Sequence, residues 1–209
     1  MITLTINVFL PGLRARRRVA GACSRGFFRA AGIPLRIHGL HAMPREPCVL
    51  VANHASYIDG IVAMAALPPD FTFVIKKEMV RVPLASLLLR RLGSAFVERF
   101  DRHKGASDAR RVWKLAAAGQ SLVFFPEGTF DGTPHIGRFQ GGAFATAERS
   151  QMRIVAAAIH GTRDVLPCGS LLMRRKPIRF EILEVLEPGA ARQRSRELIA
   201  EAVGEPLAP

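Results

Sequence analysis

Short apolar runs of strand length recur along the chain, separated by longer stretches of mixed polarity. Strands are expected at Leu35 to Gly39, Cys48 to Ala52, Phe71 to Lys76, Ala95 to Glu98, Leu122 to Phe125, Ile154 to Ile159 and Ile178 to Val185. Helices are expected between them, notably Ile58 to Leu67 and Ser107 to Ala118, with Ser107 placed to cap the second and Gly119 to end it. This alternation predicts an α/β fold, a single domain with a mostly parallel central sheet flanked by helices. At 209 residues such a domain buries roughly 70% of the surface its unfolded chain exposes. No repeat or interdomain linker interrupts it, and Gly204 to Pro209 reads as a frayed tail.

The first stretch departs from this pattern. Met1 to Arg45 holds eight arginines and no acid, within a chain of formal net charge +13. Projected as a helix, Arg14, Arg18, Arg25 and Arg29 share one stripe, with Val19, Cys23, Phe27 and Ala30 mostly opposite. An N-terminal basic amphipathic helical segment is therefore expected at a membrane interface, using these arginines on anionic headgroups together with Phe27 and Phe28. Gly21 and Gly26 weaken the helix. Met1 to Leu13 is too short to span a bilayer alone, and no convincing signal cleavage site follows it. A peripheral, monotopic position on the cytoplasmic face of the inner membrane is the expectation.

A pI near 11.2 would also suit a nucleic-acid binder. Such proteins usually add stacking aromatics, and Trp113 and Tyr57 are the only Trp and Tyr here, so no nucleic-acid partner is expected. Cys23, Cys48 and Cys168 are odd in number and form no C-x-x-C pair, which points to reduced thiols, with Cys48 a small buried hydrophobe. His38 and His41 have a metal-ligand spacing without a Cys or acidic partner nearby, so no metal site is expected. There is no G-x-G-x-x-G and no P-loop, and no cofactor is expected.

The chemistry concentrates in two short stretches. His54 and Asp59 are separated by four residues, Ala55-Ser56-Tyr57-Ile58. Five positions of a helix turn through roughly 140°, so the two side chains meet only if the helix begins between them. His54 then lies in a strand-to-helix loop, where open α/β sheets place ligands. Asp59 falls in the first helical turn, where the helix dipole favours a carboxylate. That carboxylate would hold the imidazole's tautomer and steady the imidazolium, which suits a general base. In the second stretch an apolar strand runs into Pro126-Glu127-Gly128-Thr129. Pro126 ends ladder pairing, and Gly128 lets backbone amides approach a ligand.

Together, Asn53-His54 with Asp59 and Phe125 to Thr129 resemble the glycerolipid acyltransferase family, best known for 1-acylglycerol-3-phosphate (lysophosphatidic acid) acyltransferases. Gly93 to Arg99 looks like that family's second block, approached by Lys76-Lys77-Glu78 and Val82-Pro83, and Ile159-His160-Gly161-Thr162 with Leu166-Pro167 like its fourth. The resemblance implies an O-acyltransferase that moves a fatty acyl group from an acyl-CoA or acyl-carrier-protein thioester to a lysophospholipid hydroxyl. His54 and Asp59 would be catalytic. Asn53, Ser56, Lys77, Phe96, Arg99, Glu127, Gly128 and Thr129 would bind substrate, Arg99 on the acceptor's phosphate and Glu127 on its glycerol hydroxyl or on the Arg99 side of the pocket. Backbone amides near Gly128 and Thr129 are candidate oxyanion donors. On this reading residues 1–34 are the interface segment and 35–209 the catalytic domain.

Departures from the family pattern bear on the acceptor. Phe130 stands where Arg commonly follows the Pro-Glu-Gly-Thr, and Gln140 where a basic residue is common. 1-Acylglycerol-3-phosphate is the first expectation, with another lysolipid such as an aminolipid, or glycerol-3-phosphate, as alternatives. With no G-x-S-x-G elbow, direct transfer is preferred over a serine intermediate. A thioesterase using the same His54 and a non-catalytic basic binding module are the rivals from other classes.

Overall fold

The computed structural model describes residues 10–98 and 102–208. Seven strands form a single sheet: β1 (Leu35–His38), β2 (Val49–Ala52), β3 (Phe71–Lys76), β4 (Ala95–Val97), β5 (Ser121–Phe124), β6 (Ile154–His160) and β7 (Ile178–Leu186). Their spatial order is β1-β7-β6-β2-β5-β3-β4. The pairs from β6 through β2, β5 and β3 to β4 are parallel. Only β6 and β7 pair antiparallel, which reverses the last two strands. Seven helices accompany them among the described residues: α1 (Leu13–Ala30), α2 (Asp59–Ala66), α3 (Pro83–Arg91), α4 (Arg102–Ala117), α5 (Gly142–Arg149), α6 (Thr162–Val165) and α7 (Ala191–Val203).

The central strand β2 is apolar at every position because both sheet faces are covered. Along β2, Val49 and Val51 point into one core with Val112 of α4, Ala143 and Phe144 of α5 and Ile199 of α7. Leu50 and Ala52 point into the other, with Phe28 of α1 and Val62 and Ala63 of α2. The alternation follows from the period-two geometry of a strand.

The structure revises three expectations. α4 is already helical at Arg102, so Ser107 lies inside it and is not its cap; the Asp108 carboxylate accepts the Glu98 N–H at 2.9 Å instead. Residues 204–208 are docked, not frayed: the Ile136 N–H donates to the Pro206 carbonyl, and the Ala208 N–H to the Ile136 carbonyl, each at 2.9 Å. The third concerns α1. Its buried face is Ala20, Gly21, Ser24 and Phe28, laid on α2. A β-carbon on Gly21 would lie 3.0 Å from the Met64 carbonyl, so the glycine that lowers helix propensity lets the two helices approach.

Phe28, expected at the membrane surface, is therefore a core residue, 1% exposed. Of the arginines, Arg14 pairs with Asp70 at 2.7 Å and Arg25 donates to the Ala65 carbonyl at 2.7 Å, both structural contacts. Arg18, Arg29 and Phe27 remain on the exposed side. Segment 1–34 thus contributes, over its described part, a layer of the same body as 35–209. No described helix is long and apolar enough to cross a membrane.

Candidate active site

β2 and β5 are neighbours, and both end at the same edge of the sheet, so the loops after them lie side by side. The first carries His54 and ends where α2 begins at Asp59. Asp59 is fully buried, and its Oδ2 gathers three groups: the Ala55 N–H at 2.7 Å, the Ser56 N–H at 2.8 Å and His54 Nδ1 at 2.9 Å. With Nδ1 held by Asp59, Nε2 is the imidazole nitrogen left for a substrate. The ring is packed between aromatics, stacked on Phe125 at 4.8 Å and edge-on to Phe130 at 4.7 Å, and Phe130 in turn meets the exposed Tyr57 at 4.9 Å.

The second loop supplies Glu127. Its Oε1 accepts the His54 N–H at 2.7 Å and its Oε2 the Gly137 N–H at 2.7 Å. Burial pushes the Glu127 carboxyl above its usual range, and the two amide donors oppose that shift. These contacts give the acid a backbone-holding duty. The Gly128 N–H donates to the Phe125 carbonyl at 3.0 Å, closing the turn, so of the two expected oxyanion donors the Thr129 amide is the one without such an engagement.

The other expected substrate contacts divide. Asn53 is buried and clamps β6, its Nδ2 donating to the Ile159 carbonyl at 2.9 Å and its Oδ1 accepting the Ile159 N–H at 2.8 Å. Ser56 is buried and donates to the Leu166 carbonyl at 2.8 Å. Both direct their polar side-chain atoms to backbone, a positioning arrangement. A cavity of about 740 Å³ adjoins the site, lined by Phe125, Glu127, Gly128 and Thr129, by Lys76 and Glu78, and by apolar side chains such as Val112. Lys77 is exposed and lies outside that lining, whereas its neighbours Lys76 and Glu78 belong to it. Phe96 is 8% exposed in β4, with the Arg90 guanidinium 5.3 Å from its ring centre. Arg99 lies outside the described residues.

The fourth block follows β6. Gly161 there has φ of 80°, and a β-carbon on it would lie 2.3 Å from the Pro177 carbonyl oxygen, so only glycine fits. Among the described residues no three His, Cys, Asp or Glu side chains gather as a metal site would require. Sequence reasoning did not foresee Tyr57 or Gly137 at the site; an aromatic between His54 and Asp59 was the available signal for the first.

A family model described as Acyltransferase matches residues 34–160. Among curated proteins the chain is similar to 1-acyl-sn-glycerol-3-phosphate acyltransferase BAT2, chloroplastic, of Brassica napus, 31% identical over 136 residues that cover 64% of this chain and 39% of that protein. It is also similar to the lyso-ornithine lipid O-acyltransferase of Pseudomonas aeruginosa, 33% identical over 141 residues, covering 66% of this chain and 52% of that one. The chain thus spans about half, or less, of the length of these relatives. The crystal structure of the 1-acyl-sn-glycerophosphate (LPA) acyltransferase, PlsC, from Thermotoga maritima has the same fold, with a TM-score of 0.78 at 18% identity, covering 97% of this chain and 86% of that chain.

Proposed function

The chain belongs to the Acyltransferase family, and from that premise we propose that it transfers a fatty acyl group from a thioester to a lysophospholipid hydroxyl in phospholipid biosynthesis, with 1-acylglycerol-3-phosphate as acceptor. One observation carries this reading: His54 Nδ1 sits 2.9 Å from a buried Asp59 that two backbone amides also hold, and the imidazole stacks on Phe125, which lines a largely apolar cavity. His54 Nε2 takes the acceptor's hydroxyl proton as the oxygen attacks the thioester carbonyl. The tetrahedral intermediate then collapses, the C–S bond breaks, and the proton passes from the imidazolium to the departing thiolate. General-base catalysis of this kind contributes roughly 10²- to 10⁴-fold. Asp59 balances the transient imidazolium, and the Thr129 amide is the candidate oxyanion donor. Glu127 is a positioning residue that fixes the backbone of His54. Arg99 is the proposed partner of the acceptor's phosphate, for which a guanidinium offers a bidentate contact.

The donor is a thioester of coenzyme A or of acyl carrier protein, both compatible with a strongly basic chain. The proposed location is peripheral, on the cytoplasmic face of the inner membrane, supported by the exposed Arg18, Arg29 and Phe27 of α1. A second acceptor class has its own support. Phe130, in edge contact with His54, stands where the family resemblance leads one to expect a cation, and a relative is named a lyso-ornithine lipid O-acyltransferase. An apolar ring at that place suits a headgroup without a phosphate monoester.

Incubation with labelled acyl donor and a panel of lysophosphatidate, lyso-ornithine lipid, glycerol-3-phosphate and no acceptor separates these outcomes. A labelled diacyl lipid is expected, and its headgroup names the acceptor. Release of free fatty acid at the same rate with and without acceptor would replace the transferase reading with a thioesterase.

A further inference from the structure

The segment joining α6 to β7 has no part in the chemistry above, yet its shape is well held. Leu166 and Met173, near its two ends, pack against the hydrophobic core, and the Arg174 N–H closes it by donating to the Val165 carbonyl at 2.8 Å. Between these ends, Leu171 and Leu172 stand 96% and 81% exposed, the highest values among the large apolar side chains described. A lone exposed leucine is ordinary. Two adjacent leucines at the tip of a closed loop are not, and the surroundings say what would receive them.

From Val165 to Phe180 there is no acid, and Arg174, Arg175 and Lys176 come directly after the apolar tip. Apolar side chains beside a cluster of cations match the two gains of a bilayer interface, insertion below the headgroups and attraction to anionic lipid. The loop also stands in a telling place. Its first residues touch both loops of the active site: the Leu166 carbonyl accepts the Ser56 hydroxyl at 2.8 Å, and a β-carbon on Gly132 would lie 3.0 Å from Cys168 Cβ. On its other side Arg175 covers Gly32, just past the end of α1, which puts the loop's cations next to the end that bears Phe27 and Arg29.

We propose that the Leu171–Lys176 loop is a membrane-docking element, inserting Leu171 and Leu172 into an anionic lipid surface and so setting the mouth beside His54 at headgroup level. The proposal deepens the lipid-acceptor reading and rests on it. A bilayer-borne acceptor then reaches the imidazole without leaving its membrane, and the thioester arrives from the aqueous side.

The test compares the full chain with the Leu171→Asp/Leu172→Asp variant by flotation with vesicles of phosphatidylglycerol and phosphatidylcholine, alongside turnover on a detergent-dispersed lysolipid. Burial of a leucine is worth at least about a tenfold change in partitioning, so the double variant should lose about a hundredfold or more in vesicle binding. Turnover in detergent should be unchanged. In a Trp113→Phe background, Leu171→Trp should shift its emission to the blue on vesicle binding and be quenched by lipids brominated along the acyl chain. Vesicle binding equal to the parent, or an unquenched tryptophan, overturns the proposal. So does a variant that binds vesicles normally but shows a raised KM for acyl carrier protein, which would assign the loop to an acidic donor protein. If the parent chain transfers no acyl group to any lysolipid, yet the variant still loses vesicle binding, the docking surface stands and the acyltransferase reading falls.

Discussion

Glu127 Oε1 accepts the backbone N–H of His54 at 2.7 Å, across 73 positions of sequence. The same carboxylate holds Gly137 with its other oxygen. A single half-buried acid thus ties the loop after β2 to the loop after β5, and the orientation of the imidazole depends on both strands.

His54→Ala should remove turnover, by about 10²- to 10⁴-fold or more in kcat, with the fold retained, because the ring is partly exposed and its loss leaves Asp59 its two amide donors. Asp59→Asn should leave weak residual activity, since a neutral amide can still accept the Ala55 and Ser56 N–H groups but no longer balances an imidazolium. Steady-state kinetics beside a thermal melt of each variant checks both. Full activity in His54→Ala would falsify the mechanism.

Glu127→Ala strands the part-buried His54 and Gly137 amides, at up to about 1–3 kcal/mol for each donor left unpaired. A drop in both Tm and kcat is expected. The acid also carries a pH signature. Its folded value is raised by burial from an ordinary value of 4.5, so the folded state holds this proton more tightly than the unfolded state does. Its contribution to stability is present in full below the ordinary value and declines as pH rises through the raised one. Denaturant titrations should therefore show the parent losing stability relative to Glu127→Gln as pH is raised above 4.5. Parallel curves would mean that the carboxyl does not feel its burial.

The docked C-terminal tail holds Ile136 from both sides, and Ile136 precedes Gly137, the second donor to Glu127. Arg163 adds an ion pair to Glu205 at 2.6 Å. A chain ended at Gly204 should melt earlier and show reduced kcat with its acyl-donor KM little changed. Kinetics indistinguishable from the full chain would separate the tail from the site.

Gly161→Ala places a methyl group 2.3 Å from the Pro177 carbonyl oxygen, in a backbone conformation that disfavours side chains. The backbone must move, and a loss of several kcal/mol is expected, of the order that strain and overpacking together produce. Soluble yield and chemical denaturation measure it. Gly26→Ala in α1, where a β-carbon meets nothing within 4 Å, serves as the control and should gain roughly 0.5–1 kcal/mol.

Cys48 is buried beside Ser121, and burial pushes its thiol up to about 11. Cys168 is exposed. Alkylation near pH 8 followed by peptide mapping should label Cys168 quickly and leave Cys48 unmodified until the protein unfolds, because the thiolate is the reactive form.

Much of this was legible along the chain. The seven expected strands match the observed ones within a residue or two at either end, and α2 begins at Asp59, leaving His54 in the loop before it, as a spacing of five positions requires. These are local signals: apolar runs of strand length and Pro or Gly at their ends. The failures share a cause. Phe28 projects beside the arginine stripe, and the projection cannot say whether lipid or protein covers that flank; Gly21 resolved it by letting α1 approach α2. Ser107 has cap chemistry, yet the helix runs through it. Gly204 to Pro209 has the composition of a tail, and it is pinned by backbone bonds to a loop far upstream.

Sequence alone determined the elements and the chemistry they carry, because strand length, helix onset and the pairing of an imidazole with a carboxylate five positions on are properties of a few neighbouring residues. The tertiary structure decided which loops share a site and which polar groups are left for a substrate. That β2 adjoins β5, that Asn53 and Ser56 bind backbone and that Glu127 holds the His54 amide all depend on contacts across more than 70 residues, made only once the sheet order is set.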